Sequence, residues 1–208
     1  MVRVIHFILS NGRRSFKREA EVNLTKIIQI VQHVLAKTGF RLNYTKLIKL
    51  LYLSDRESLK LWDSAITKDS YASLKQGPVL SGLYNLIKGD YRDRADQAQW
   101  NAFFMRDGYD LIAIHKSEFP KDELSPREME IIDSIEKKYR GWDYGKLIDL
   151  LHDGSRFPEW KDPGESSQPL SLEDILRALG RTEEQIKSLM EEEESFRREE
   201  ELLSECQN

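Results

Sequence analysis

The spacing of apolar residues predicts two long helices in the first third of the chain. Residues 24–36 place apolar side chains every three or four positions, the spacing of a buried helix face. Asn23 precedes this stretch as an N-cap, and Gly39 follows it as a C-terminal signal. A second helix is predicted from about Asn43 to Trp62. It is apolar on most sides, so we expect it to be the buried, central helix.

Extended structure and turns are predicted after this helix. Residues 71–75 have an extended pattern. Pro78 is expected to open a helix that continues through Ile87, because proline is tolerated best in the first helical turn. Residues 89–97 are charged and are predicted to form a turn.

Turn and cap signals define the rest of the chain. An Asp-Gly pair at 107–108 predicts a hairpin between residues 100–105 and 109–114. Four helices with capping residues at their starts are predicted over residues 125–139, 143–152, 171–179 and 182–203. The sequence therefore predicts a mainly helical α+β fold: a compact helical domain with one small antiparallel β-sheet and an acidic C-terminal helix.

The composition excludes several classes of protein. The single cysteine, Cys206, excludes an internal disulfide framework and a cysteine-based metal cluster, and it predicts a cytoplasmic protein. No stretch approaches the roughly 18–20 apolar residues that a membrane span requires, so no membrane partner is expected. Residues 2–9 combine a short apolar run with the basic residue Arg3. The run is short for a signal peptide, and no cleavage site follows it. We interpret residues 1–20 as a strand or a packed arm.

The net charge of −4 is unevenly distributed. Residues 1–20 carry five basic groups and one acidic group, whereas residues 181–208 carry four basic and ten acidic groups, a net of −6. Residues 1–180 therefore sum to +2, which is −4 minus −6. We divide the chain into a basic arm at 1–20, a central domain at 21–180 and an acidic helix at 181–208. The mild overall acidity argues against a nucleic-acid partner.

The sequence proposes no catalytic or metal site. The four histidines are scattered, and Cys206 lies in a tail that should fray. A nucleophile elbow and a phosphate-binding glycine loop are both missing from the sequence. We therefore predict no enzyme, no metal and no cofactor. An enzyme that uses Asp55, His115 or His152 remains a weaker alternative.

The second half of the chain contains a pattern that resembles a DNA-binding helix–turn–helix. Predicted helices 126–139 and 143–152 are joined by a short turn that contains Gly141. A recognition helix presents Arg, Lys, Asn or Gln to the bases, but the second helix offers Lys146 alone beside several aspartates. DNA binding through this motif is rejected, and a nucleic-acid-binding regulator remains a weaker alternative.

Asp55 interrupts the apolar face of the central helix, between Tyr52 and Leu59. A buried carboxylate is costly unless it is paired. Two interpretations stay open: an internal salt bridge or hydrogen bond to a loop amide, or a carboxylate that organises a binding surface. The other side of the helix carries a basic stripe, which is either solvated or meets an acidic partner or the protein's own acidic helix. The stripe consists of Lys46, Lys49, Arg56 and Lys60.

Several consecutive segments resemble the Panacea domain of the SocA-like antitoxin family. The segment 44–59, YTKLIKLLYLSDRESL, resembles the signature helix of that family. The further matching segments are AITKDSY at 65–71, LKQGPVLS at 74–81 with Tyr84, LIDLLH at 147–152, PEW at 158–160 and residues 169–180. The resemblance covers roughly residues 24–185. It departs from the family at Leu151, where members usually have threonine.

The resemblance implies a non-enzymatic antitoxin of a type II-like toxin–antitoxin system, often carried on a prophage or mobile element. Such a protein neutralises a toxin, encoded by a neighbouring gene, through direct contact. An adaptor that delivers its toxin to a Clp-type protease is the alternative. We predict partner-facing roles for Lys46, Lys49, Asp55 and Lys75, and structural roles for Gly77, Pro78, Tyr84, His152 and Trp160. The oligomeric state stays open.

Overall fold

The fold is taken from a computed structural model, which describes residues 23–117 and 119–205. The strand or arm predicted for residues 1–20 lies outside the described residues. The described part of the chain contains eight helices and six strands. In chain order they are α1 (Leu24–Lys37), β1 (Arg41–Asn43), α2 (Tyr44–Trp62), β2 (Tyr71–Leu74), β3 (Gly77–Leu80), α3 (Ser81–Lys88), α4 (Arg94–Phe103), β4 (Phe104–Asp107), β5 (Asp110–Ala113), α5 (Pro126–Tyr139), α6 (Tyr144–Leu151), β6 (Gln168–Leu170), α7 (Leu172–Ala178) and α8 (Glu183–Glu205).

Helix α2 lies at the centre of the core, as its all-round apolar pattern predicts. The Asn43 side chain caps its start by accepting a hydrogen bond from the Lys46 backbone N–H at 3.1 Å. The helix packs against α5, α6 and β3, and both Leu47 and Leu51 are fully buried. Complete burial of such a side chain contributes about 1.5–3 kcal/mol. The apolar surface of α2 is therefore a main source of the protein's stability.

The six strands form two antiparallel sheets of three strands each, with the orders β1–β5–β4 and β3–β2–β6. The β4–β5 pair is the predicted Asp-Gly hairpin. Strands β1 and β6 join from distant parts of the chain, with Leu42 opposite Leu111 and Ala72 opposite Pro169. The mainly helical α+β class is thus confirmed. The described part of the chain forms two small sheets where the sequence predicted one.

The predicted helix start at Pro78 is wrong. Pro78 lies in β3, opposite Ser73, and the helix begins three residues later at Ser81. Proline lacks a backbone N–H and is therefore tolerated in a strand at the edge of a sheet. Strand β3 is such an edge strand. The proline carbonyl also accepts a hydrogen bond from α2, which is described below.

The boundary between turn and hairpin was also misplaced. Residues 94–97, predicted as a turn, begin helix α4, and this helix continues to Phe103. Its start is capped by Asp93, whose carboxylate accepts hydrogen bonds from the N–H groups of Ala95 and Asp96. Asp93 lies among the charged residues 89–97. The high charge of this stretch led to the prediction of a turn and hid the helix start.

The helices of the second half follow their predicted caps. The Ser125 capping box is complete: the Glu128 carboxylate accepts from the Ser125 N–H at 2.8 Å. Helix α8 begins with the second predicted box, in which Gln185 accepts from the Thr182 N–H at 2.8 Å. Ile186 is buried and anchors the start of α8 on the core. Among the described helices, none is both long and apolar enough to cross a membrane.

Candidate functional site

Several polar residues of α2 point inward, beginning with Asp55. Its carboxylate is fully buried and accepts hydrogen bonds from the N–H groups of Ile66 and Thr67, both at 2.9 Å. The hydroxyl groups of Thr67 and Tyr71 also donate to it, the latter at 3.0 Å. Burial raises the pKa of Asp55 to about 6, although these four donors favour the charged form and oppose the shift. Asp55 thus holds the loop after α2 against the helix.

A second buried carboxylate, Asp69, lies in the same loop and was not predicted from the sequence. It accepts hydrogen bonds from the N–H groups of Gly82 and Leu83, at 2.8 and 2.9 Å. These groups belong to the first turn of α3, whose own N-cap residue, Leu80, has no capping side chain. Burial raises the pKa of Asp69 to about 6, and the charge of Asp55 adds to this shift. Asp69 therefore caps α3 from outside the helix.

Lys49, predicted in the basic stripe, is also buried. Its ammonium group donates a hydrogen bond to the Pro78 carbonyl at 2.7 Å. Burial lowers the pKa of Lys49 to about 7. The adjacent turn residue Gly77 has φ +95°, and a Cβ there would lie 3.2 Å from Lys49 Nζ and 3.7 Å from His152 Nε2. Glycine is thus required by both the turn and the close approach of these side chains.

His152 lies next to Gly77 and Lys49, and Trp160 lies beside His152. Their rings are stacked, with centroids 4.1 Å apart and planes 8° from parallel. Trp160 Nε1 donates to the Leu74 carbonyl at 3.1 Å, which ties the stack to β2. Burial and the charge of Lys49 lower the pKa of His152. Its Nε2 atom is buried and has no hydrogen-bond partner within the described structure.

The next polar contact along α2 involves Glu159, a second residue whose role was not predicted. Its buried carboxylate accepts hydrogen bonds from the Tyr52 hydroxyl at 2.9 Å and from Arg56 Nε at 2.6 Å. Arg56 also lies over the Phe157 ring, with its guanidinium carbon 4.6 Å from the ring centroid. Arg56 of the predicted basic stripe therefore forms an internal ion pair with Glu159.

The remaining candidate residues lie nearer the surface. Lys46 is half-buried and donates to the Arg140 carbonyl at 2.8 Å, which connects α2 with the end of α5. Lys75 is exposed and forms an ion pair with the exposed Glu165. Tyr84 packs partly buried against the core, beside Lys88.

Together, these contacts place most of the predicted site residues in several groups of internal polar contacts around α2, to which we refer collectively as the network. The structure places Gly77, Pro78, His152 and Trp160 in that network, and it places Lys49 and Asp55 there as well. The partner-facing roles of Lys46, Lys49, Asp55 and Lys75 stay predictions. Lys49 and Asp55 would have to leave buried positions to contact a partner. Local sequence patterns could not reveal Asp69 or Glu159, because their partners are far away along the chain.

These contacts connect separate helices and strands of the domain through hydrogen bonds and a ring stack. A family model described as antitoxin SocA-like, Panacea domain, matches residues 47–161, more than half of the chain. The chain therefore belongs to the SocA-like antitoxin family with a Panacea domain. Comparisons with curated proteins and with solved structures gave no match.

Proposed function

We propose that this protein is the antitoxin of a type II-like toxin–antitoxin system, acting in the cytoplasm without enzymatic activity. It neutralises a toxin encoded by a neighbouring gene through direct protein contact. The family match over residues 47–161 carries this proposal. The buried network supports it, because the motif residues are used to hold helices and loops together, and the surface is left to contact a partner.

Co-expression tests this function. The product of the adjacent open reading frame is placed under an inducible promoter, with and without this protein on a second plasmid. We expect growth arrest from the neighbour alone, restored growth when both are present, and co-purification of the two proteins. A copy with an early stop codon, transcribed but not translated, is the control and must not restore growth. The proposal is wrong if the neighbour is harmless alone or remains toxic in the presence of this protein.

A second candidate function is a proteolytic adaptor that uses the acidic helix α8 as a tether to a Clp-type protease. The supporting observation is that the far half of α8 exposes two large apolar side chains, Phe196 at 57% and Leu202 at 62%. The informative truncation ends after Met190, because Ile186 is buried and Met190 packs on the core. An adaptor truncated there should still bind its partner but no longer promote its degradation. Unchanged turnover of the partner in a pulse-chase experiment would exclude this role for α8.

A further inference from the structure

A groove lies between the end of α3, helix α4 and strand β4, with a volume of about 420 Å³. We call it the α3–β4 groove. Its floor consists of apolar core side chains, namely Leu86, Ile87, Trp100 and Phe104. Met105 stands beside the floor with 52% of its surface exposed. Because the four floor side chains are each less than 5% exposed, an apolar side chain of a partner would pack mainly against Met105 and would lose contact with water on binding.

Two cations, Lys88 and Arg106, line the α3–β4 groove. Neither has an ion-pair partner among the described residues. The nearest acidic residues of the hairpin, Asp107 and Asp110, lie outside the groove lining and both pair with Arg41, at 3.0 and 2.7 Å. The lining of the groove therefore combines an apolar floor with two cations and no carboxylate.

A chain of tyrosine contacts leads from the groove through the buried Tyr44 to the exposed Tyr109. Lys88 Nζ lies 5.8 Å from the ring centroids of both Tyr44 and Tyr84. Tyr44 in turn stacks on Tyr109, at 5.9 Å between centroids. Tyr109, at the hairpin between β4 and β5, is 71% exposed. Tyr, Arg and Met are the residue types that are enriched in protein–protein interfaces.

We propose that the α3–β4 groove is the docking site for the toxin, and that it receives a segment in which an apolar side chain is flanked by carboxylates. This inference rests on the proposed antitoxin function. The apolar side chain enters the groove, while the carboxylates pair with Lys88 and Arg106. A protein segment fits better than a nucleic acid, because the floor is apolar and the whole chain carries a net charge of −4.

A second groove, of about 320 Å³, provides the contrast and the control. It contains an exposed tryptophan, Trp142, and two cations, Lys146 and Arg156. Two aspartates line the same groove, so its positive charge is locally balanced. Charge complementarity therefore selects an acidic segment for the α3–β4 groove and not for this one.

The test compares two double variants with the same change in charge. The double variant Lys88→Glu/Arg106→Glu reverses the charge of the two cations in the α3–β4 groove. The double variant Lys146→Glu/Arg156→Glu does the same in the second groove. The probe is the product of the adjacent gene, measured by growth rescue and by titration calorimetry. We expect the first variant to bind about 100-fold more weakly or worse, because each cation is replaced by a carboxylate that repels the acidic segment. The second variant should bind like the wild type.

Tyr109→Ser is an independent variant, because a side chain this exposed is not needed for folding. We expect roughly tenfold weaker binding from it. Circular dichroism and thermal unfolding check that all variants are folded.

Each remaining outcome is decisive. A wild-type protein that does not rescue growth overturns the antitoxin function and this inference with it. If the wild type rescues and the Lys88/Arg106 variant rescues equally well, the docking site is wrong while the antitoxin function stands. Loss of binding in the Lys146/Arg156 variant alone places the toxin in the other groove. A gel shift of DNA or RNA that depends on Lys88 and Arg106, with toxin binding unchanged, identifies a nucleic-acid surface instead.

Discussion

At the scale of single residues, Lys49 shows most clearly what a helical pattern leaves out. Angular spacing correctly placed it opposite the apolar face of α2, where an exposed basic stripe was expected. Strand β3 and helix α6 cover that side, however, and leave the ammonium group in contact with the Pro78 carbonyl. A cation without a carboxylate partner in a buried position has a lowered pKa, because burial disfavours its charged form.

The pH dependence of stability follows from this shift. The pKa of Lys49 falls from 10.5 in the unfolded chain to about 7 in the folded protein. Between these values the unfolded state binds more protons, so the free energy of unfolding should rise with pH, by at most about 1.4 kcal/mol per pH unit. We expect this rise in urea unfolding between pH 7 and 9, and its loss in Lys49→Met. The exposed Lys60→Met is the control and should keep it. Equal slopes for the wild type and Lys49→Met would contradict the prediction.

Asp55 shows how far a residue-scale prediction reaches. A carboxylate within an apolar stripe indicated a buried, satisfied group, and a hydrogen bond to a loop amide was one of two interpretations. The structure shows such hydrogen bonds, from Ile66 and Thr67. No comparable signal marks Asp69, since it caps a helix that begins twelve residues later and lies outside any local capping motif. The sequence thus shows that a carboxylate lies within an apolar stripe, whereas only the fold shows which groups donate hydrogen bonds to it.

At the scale of elements, the β2–β3 turn is the most constrained connection in the structure. Gly77→Ala should destabilise the protein by about 1–3 kcal/mol, because φ is +95° and the added Cβ would crowd Lys49 Nζ at 3.2 Å. Gly141→Ala is the matched control, since a Cβ there meets nothing within 4 Å. Chemical unfolding of the two variants measures the difference. A Gly77→Ala protein as stable as the Gly141→Ala protein would show that the turn can relax.

Helix boundaries were predicted well at most helices whose cap lies next to them. The starts of α1, α5, α6, α7 and α8 follow Asn, Ser, Asp or Thr side chains that accept hydrogen bonds from the first turn. Helix α3 is an exception, because its capping carboxylate comes from the preceding loop and Pro78 gave a misleading local signal. Helix α4 is another, because its Asp93 cap lies within a run of charged residues. Strands β1 and β6 were missed for a related reason: each is three residues long and is defined only by a distant neighbour.

At the scale of the whole molecule, the acidic end divides into an anchored and an exposed part. A chain truncated after Met190 should lose less than about 1 kcal/mol of unfolding free energy, because it retains the buried Ile186. A chain truncated after residue 185 should lose about 2–5 kcal/mol, since it loses Ile186 and the packing of Leu189 and Met190. Urea unfolding of the two truncated chains distinguishes them. Equal losses would mean that the exposed part of α8 also stabilises the body.

The pairing of β6 with β2 has a consequence for the timing of synthesis. Roughly 100 residues separate Tyr71 from its partner Leu170. A ribosome that adds about 5–20 residues per second takes roughly 5–20 seconds to cover this distance. Glu159 and Trp160, which contact α2 and β2, also emerge late. A nascent chain is therefore unfinished around its central helix until most of its length is made. For the proposed antitoxin, protection would lag behind the synthesis of β2 by at least that interval.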